Sequence, residues 1–298
     1  MKKSALIVCL LCVAARAQNG TFTTYTTTWN NLTRQFSVYV PPVLQTAPPL
    51  VIALHGSVLA QSSNPPLTVC TKGMGWDALA DANGFLLLCP VGTWKFDSLT
   101  GGEFFWEAYG TETYFPAVPD DSGFLRSLIL RMEKNRHADP ARVFVIGFSS
   151  GGMMAHRACI DNADLIAACA SLSGTVWVGN PNVKLPWPAR PVSILEFHGD
   201  ADPTIAYCGG TFLAWGEGYI PYPAVDVDVN YWLAADGLEA NPTPLCVSGA
   251  PAPAVFKLNR QSADGKTEIH FARELGYGHT YKNWTIAEVW EFFATHGR

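Results

Sequence analysis

The chain has 298 residues, of which 48% are hydrophobic and 15% charged, and its formal net charge is −5. That balance excludes an intrinsically disordered chain, and the acidic surplus gives no sign of a surface for nucleic acid or anionic membrane. The length suits one large α/β domain with a sizeable core.

The N-terminus reads as a targeting segment. Lys2 and Lys3 precede the apolar run Ala5 to Val13, and Ala15-Arg16-Ala17 fits an A-x-A cleavage site. A signal peptide over residues 1–17 is therefore expected, with Gln18 as the mature start and an extracellular or periplasmic destination. The run is short for a stable bilayer anchor, and an uncleaved signal anchor is the rival reading. Of the eight cysteines, Cys9 and Cys12 would leave with the signal. The remaining even set suits an oxidising compartment. Neighbour pairing suggests Cys70–Cys89, Cys159–Cys169 and Cys208–Cys246, one of the many connectivities six cysteines allow. Asn19, Asn31 and Asn283 stand in N-x-T sequons.

Residues 32–40 alternate, with Phe36, Val38 and Val40 facing one way and Gln35, Ser37 and Tyr39 the other, so a half-exposed strand is expected before Pro41-Pro42. Leu50 to Leu54 reads as a strand covered on both faces. Trp76, Leu79 and Ala80 share a helical face that Asn83-Gly84 ends. Phe85 to Leu88 is a second buried strand. Asp121 is the expected N-cap of a helix carrying Phe124, Leu125, Leu128, Ile129 and Met132 inward. Val143 to Ile146, Ile166 to Leu172 and Val192 to Phe197 read as further strands, with loops over 174–190 and 203–223. Val225 to Ala235 reads as a helix. Asp264-Gly265 marks a hairpin-like turn, and Thr285-x-x-Glu288 a capping box before a last helix with Val289, Phe292 and Phe293 inside. Alternating strands and helices predict a mostly parallel sheet with helices on both faces.

The chemistry concentrates at strand ends. Gly147-Phe148-Ser149-Ser150-Gly151 follows a buried strand and opens a helix, the setting of a nucleophile elbow. The turn is sharp enough to need glycine, and it would lift the Ser149 hydroxyl above the sheet. A serine needs a base and the base an orienting acid, in the chain order Ser, acid, His. Strand 192–197 runs into His198-Gly199-Asp200-Ala201-Asp202-Pro203, where Asp202 is the preferred acid and Asp200 its competitor. Gly276-Tyr277-Gly278-His279-Thr280 places His279 as the base. His296 reads as a surface histidine, His270 as structural, His156 as packing or capping and His137 as solvated. The backbone N–H of Ser150, with that of Ser57 or Val58 in the loop after Leu54-His55-Gly56, would form an oxyanion hole, and His55 would brace that loop. The chemistry calls for no metal or organic cofactor.

Taken together, LHG at 54–56, DDSGFLRSLI at 120–129, DPARVFVIGFSSGGMMA at 139–155, FHGDADP at 197–203 and GYGHTY at 276–281 resemble the secreted esterase family of polyhydroxybutyrate depolymerases and related feruloyl and acetylxylan esterases. The resemblance runs from about Val38 to Phe293. It implies an α/β-hydrolase fold and maps the acid to Asp202 and the base to His279. Two departures stand out: Ser57-Val58-Leu59-Ala60 where the family often has glycines, and Thr280-Tyr281 where it often has Trp-Pro.

Residues 94–115 hold Trp94, Phe96, Phe104, Phe105, Trp106, Tyr109, Tyr114 and Phe115. An aromatic wall for an aryl acyl group is one reading, with Trp94, Trp106 and Tyr109 as candidate binding residues. A polymer-docking patch and simple core packing are the others. The expected protein is a secreted serine carboxylesterase of feruloyl esters of plant cell-wall polysaccharide. Hydrolysis of 3-hydroxybutyrate oligomers is the alternative, and a catalytically silent polymer binder the rival from another class. The expected partner is an ester substrate, aryl or hydroxyalkanoate, with no nucleic acid and no membrane anchor.

Overall fold

A computed structural model describes residues 20–59, 69–95, 102–109, 119–179, 182, 184–214, 218–241, 243–247, 249–251 and 257–298. The segment read as a secretion signal, residues 1–17, lies outside these, as do Asn19, Phe96, Tyr114 and Phe115. No helix among the described residues is long and apolar enough to cross a membrane.

The main sheet has nine strands. In chain order they are β1 (Thr21–Trp29), β2 (Leu32–Val40), β3 (Leu50–Leu54), β4 (Leu86–Pro90), β5 (Val143–Phe148), β6 (Ala168–Leu172), β7 (Ser193–Gly199), β8 (Lys257–Gln261) and β9 (Glu268–Glu274). Their spatial order is β1-β2-β4-β3-β5-β6-β7-β9-β8. The interior pairs from β4 to β9 are parallel, and β1, β2 and β8 are antiparallel to their neighbours.

Continuous apolar runs in β3 and β5 follow from cover on both faces. Helices α1 (Trp76–Asn83) and α5 (Asn283–Thr295) cover one face, where Trp76 and Phe293 meet Val51, Ala53, Phe144 and Ile146. Helices α2 (Asp121–Arg136), α3 (Ser150–Asp161) and α4 (Val225–Ala235) cover the other, where Leu125, Met154 and Trp232 meet Ile52, Leu54 and Val145. Alternate residues of each strand thus feed opposite cores. Each fully buried large side chain contributes about 1.5–3 kcal/mol.

Several expectations need correction. Strand β2 is not half exposed: Phe36, Ser37, Val38 and Tyr39 are all buried, because β1 pairs outside it and takes the edge. Asp120, not Asp121, caps α2, accepting from Gly123 N at 3.0 Å. Asp121 is fully buried and ion-paired to Arg34 at 2.5 Å. The loop expected at 203–223 contains a hairpin of Gly210–Ala214 and Gly218–Tyr222. Thr285 is not a cap but the third residue of α5, its hydroxyl accepting from Lys282 N at 3.3 Å.

Cys70–Cys89 and Cys208–Cys246 are disulfides, as expected, with Cα atoms 6.1 and 5.6 Å apart. Cys159 and Cys169 are instead buried free thiols. They lie on α3 and β6 inside the core, where Cys169 Sγ donates to Ala155 O at 3.3 Å. His296 is not a surface histidine. It is 9% exposed, with Nδ1 2.6 Å from Phe292 O and its ring against Phe292.

Candidate active site

Strand β5 delivers Ser149 into a turn with φ 56° and ψ −122°, a strained conformation for a residue with a side chain. The turn closes because Gly147 and Gly151 approach backbone directly. A Cβ on Gly147 would land on the Gly151 carbonyl, and one on Gly151 on the carbonyls of Leu54 and His55. Ser149 N donates to Leu172 O at 2.9 Å, tying the turn to the end of β6. Helix α3 begins at Ser150, so its positive N-terminal end lies beside the hydroxyl.

Three strand ends meet there. His279, in the loop after β9, has Nε2 2.8 Å from Ser149 Oγ, across 130 residues of chain. Its Nδ1 lies 2.7 Å from Asp202 Oδ2, in the loop after β7. Asp202 Oδ1 accepts from Thr204 N at 2.8 Å and Ile205 N at 2.9 Å. Burial works to raise the Asp202 carboxyl, but His279 and these two amides outweigh it, and its pKa lies below the ordinary value. Asp200 faces elsewhere: it takes Arg273 Nε at 2.8 Å and Gly276 N at 2.6 Å, and so ties down the loop that carries His279.

A cavity of about 500 Å³ opens over Ser149 and His279. Its apolar wall is Val58, Phe105, Phe148, Met153, Ile205 and Tyr281, with Glu103 the one carboxylate on the lining among the described residues. Gly56, Ser57, Val58 and Ser150 border the same space, so every candidate oxyanion donor is at the site. His55 is buried beneath. Gly92 N donates to its Nε2 at 3.0 Å, which puts the ring hydrogen on Nδ1, 2.5 Å from Gly56 O. Burial pushes the His55 pKa down to about 4, so the ring stays neutral and braces the loop as expected.

The three aromatic candidates are not on this lining. Trp106 is fully buried and donates its indole N–H to His55 O at 2.8 Å. Tyr109 is 8% exposed, hydrogen-bonded to Asp161 and under the Arg157 guanidinium. Trp94 is 47% exposed and lines a separate groove with Leu32, Val91 and Phe104. The reason is strand alternation. Strand Glu103–Phe105 pairs with Thr93–Lys95, and it sends Glu103 and Phe105 to the cavity and Phe104 to the groove behind. Phe105 therefore supplies the wall sought in Trp94, Trp106 and Tyr109. Phe148 and Met153 stood in the elbow run 139–155 and Tyr281 in the Thr280-Tyr281 departure, whereas Ile205 carried no local signal.

His137, His156, His270 and His296 do not line the cavity. His137 is exposed at the end of α2, and His270 pairs with Glu268 at 2.8 Å. His156, Glu196 and Asp228 form the one group among the described residues with three ligand-type atoms mutually within 4.8 Å. Trp232 Nε1 donates to His156 Nδ1 at 3.0 Å, so the neutral ring carries its hydrogen on Nε2, and that nitrogen has no lone pair for a cation. Burial raises the Glu196 and Asp228 carboxyls well above their usual range.

A family described as Phospholipase/Carboxylesterase matches residues 116–213, which include Ser149 and Asp202. A bifunctional acetylxylan esterase/xylanase of Neocallimastix patriciarum is 26% identical over 261 residues, 87% of this chain and 33% of that protein. Feruloyl esterase B of Thermothelomyces thermophilus is 30% identical over 146 residues, 48% of this chain and 45% of that protein. The chain thus spans between a third and less than half of the length of these relatives. A solved acetyl xylan esterase from Aspergillus awamori superposes with a TM-score of 0.60 at 19% identity, covering 91% of this chain and 99% of that one. At that identity the likeness speaks for the fold. The parallel sheet, the elbow at its centre and these likenesses give the chain an α/β-hydrolase fold, with sequence similarity to esterases.

Proposed function

We propose that the protein is a secreted serine carboxylesterase acting on hydroxycinnamoyl esters of plant cell-wall polysaccharide. The observation that carries this is the Ser149–His279–Asp202 hydrogen-bond chain opening into a cavity walled by Phe105, Phe148 and Tyr281. Ser149 Oγ attacks the ester carbonyl while His279 Nε2 takes its proton. Asp202 holds His279 with hydrogen on Nδ1 and stabilises the imidazolium. Collapse of the tetrahedral intermediate expels the alcohol, which receives the proton from His279. Water, activated by the same imidazole, then hydrolyses the acyl-enzyme.

The oxyanion would be held by the N–H groups of Ser150 and Ser57. Ser57 is favoured over Val58 by peptide geometry. His55 Nδ1 holds the Gly56 carbonyl, and in a trans peptide the N–H of the next residue points the opposite way. The A-x-A segment before Gln18 and two disulfides support secretion.

Acetyl esters of xylan are the second reading, favoured by the relatives named acetylxylan esterases. The test compares release of ferulate from methyl ferulate, acetate from acetylated xylan and 3-hydroxybutyrate from its oligomers, with Ser149→Ala as the blank. Ser149-dependent ferulate release is expected to dominate. Dominant acetate or hydroxybutyrate release reassigns the substrate, and undiminished hydrolysis by Ser149→Ala overturns the serine mechanism.

A further inference from the structure

The proposed acid stands on a loop that closes on itself. After β7 ends at Gly199, the chain turns through Asp202 and returns at Ile205. His198, on the last turnward residues of β7, is 1% exposed and reaches across to the returning leg, its Nε2 2.7 Å from Ile205 O. A carbonyl only accepts, so Nε2 carries the hydrogen. Ile205 is bound at both ends of its backbone. Its carbonyl takes the His198 N–H, and its own N–H donates to Asp202 Oδ1 at 2.9 Å. The same His198 Nε2 lies 3.7 Å from Asp202 Oδ2, the oxygen that holds His279 at 2.7 Å. Two imidazoles thus converge on one carboxylate oxygen, one ring exposed to the cavity and one sealed in the core.

We infer that His198 is a positioning residue for Asp202: through Ile205 it sets the direction of the carboxylate and hence the reach of His279 to Ser149. The inference rests on the serine-esterase reading above. It follows from the bond pattern rather than from proximity alone. Without the His198 N–H, the Ile205–Ala206 unit loses its anchor to β7 and keeps Ala206 N on the Tyr222 hydroxyl at 2.8 Å, so the adjoining Ile205 N–H is less firmly aimed at Oδ1. The Ile205 side chain also lines the cavity, so the same peptide registers the acid against the substrate wall. Burial holds the His198 pKa below its usual value, in keeping with a neutral ring that serves as a fixed donor.

The test uses His198→Leu, which removes the donor, and His198→Gln, whose amide nitrogen reaches the place of Nε2. Active sites are counted by fluorophosphonate labelling, so that kcat is expressed per folded enzyme, with methyl ferulate or the best ester found above. The leucine variant is expected to lose about 100-fold in kcat, the cost of a misplaced catalytic group, with KM unchanged. The glutamine variant is expected to recover most of that loss. Wild-type kcat per labelled site in the leucine variant overturns the inference. So does a glutamine variant that folds with the wild-type Tm and yet is as slow as leucine, and this second comparison stands if the leucine variant does not fold. Failure of the underlying reading shows separately, as hydrolysis that Ser149→Ala does not reduce.

Discussion

The indole N–H of Trp106 donates to the carbonyl oxygen of His55 at 2.8 Å, while the His55 ring holds the next carbonyl, Gly56. A tryptophan that reads from sequence as substrate wall is therefore a support beneath the loop proposed to hold the oxyanion. Trp106→Phe keeps most of the packing but leaves His55 O unpaired in the core. It is expected to cost about 1–3 kcal/mol of stability, together with some kcat. Trp94→Ala is expected to leave hydrolysis of a soluble aryl ester unchanged. Melting curves and methyl ferulate kinetics check both; a large rise in KM for Trp94→Ala would return that residue to the substrate site.

Asp200 and Asp202 are separated by one residue but hold different partners. Ser149→Ala, His279→Ala and Asp202→Asn are each expected to reduce kcat by about 10⁴-fold or more. Asp200→Asn is expected to lose much less, because it loosens Arg273 and Gly276 rather than the base itself. Steady-state kinetics on one ester settle the order, and an equal loss in the two aspartate variants would reassign the acid.

Buried carboxyls give the fold a sign in pH. Burial raises Asp236 to about 7, against the opposing pull of Val192 N and Arg190, and also raises Asp228 and Glu196 well above their usual range. A raised folded pKa means that the native state binds more protons than the unfolded chain. The stabilising contribution is whole below the unfolded carboxylate value and is lost as pH climbs through the folded one. For Asp236 the loss runs from about pH 4 to about pH 7. Asp236→Asn and Asp228→Asn should therefore flatten the fall of Tm with rising pH. Curves parallel to wild type would contradict this.

Two thiols stay reduced inside two-disulfide protein. Chain beginning at Gln18 is expected to show no reactive thiol while folded and two after unfolding without reductant, from Cys159 and Cys169. Thiol titration decides, and a count of zero after unfolding would mean that these two are bridged. Opening Cys70–Cys89 by double alanine substitution is expected to cost about 3 kcal/mol.

Ser149, Asp202 and His279 were legible along the chain because each sits just past a strand, in a turn whose residues are dictated locally. Glycines at 147 and 151 are forced by backbone contact, and Gly276 at φ 72° turns the loop that leads to the histidine. The buried strands were legible for a similar reason, since cover on both faces demands an unbroken apolar run. The tertiary structure alone decided which aspartate faces His279, because Arg273 of β9 and the Gly276 N–H after it hold Asp200, while His279 arrives from farther along that same loop to meet Asp202. It alone decided that Phe105 rather than Trp94 or Trp106 walls the cavity, because that depends on which face of the small sheet of Val58–Leu59, Glu103–Phe105 and Thr93–Lys95 is turned toward Ser149. It alone separated the free cysteines from the bridged ones. Local backbone conformation is written in neighbouring residues, whereas contact across 130 residues, as between Ser149 and His279, exists only once the order of the sheet has brought strand ends together.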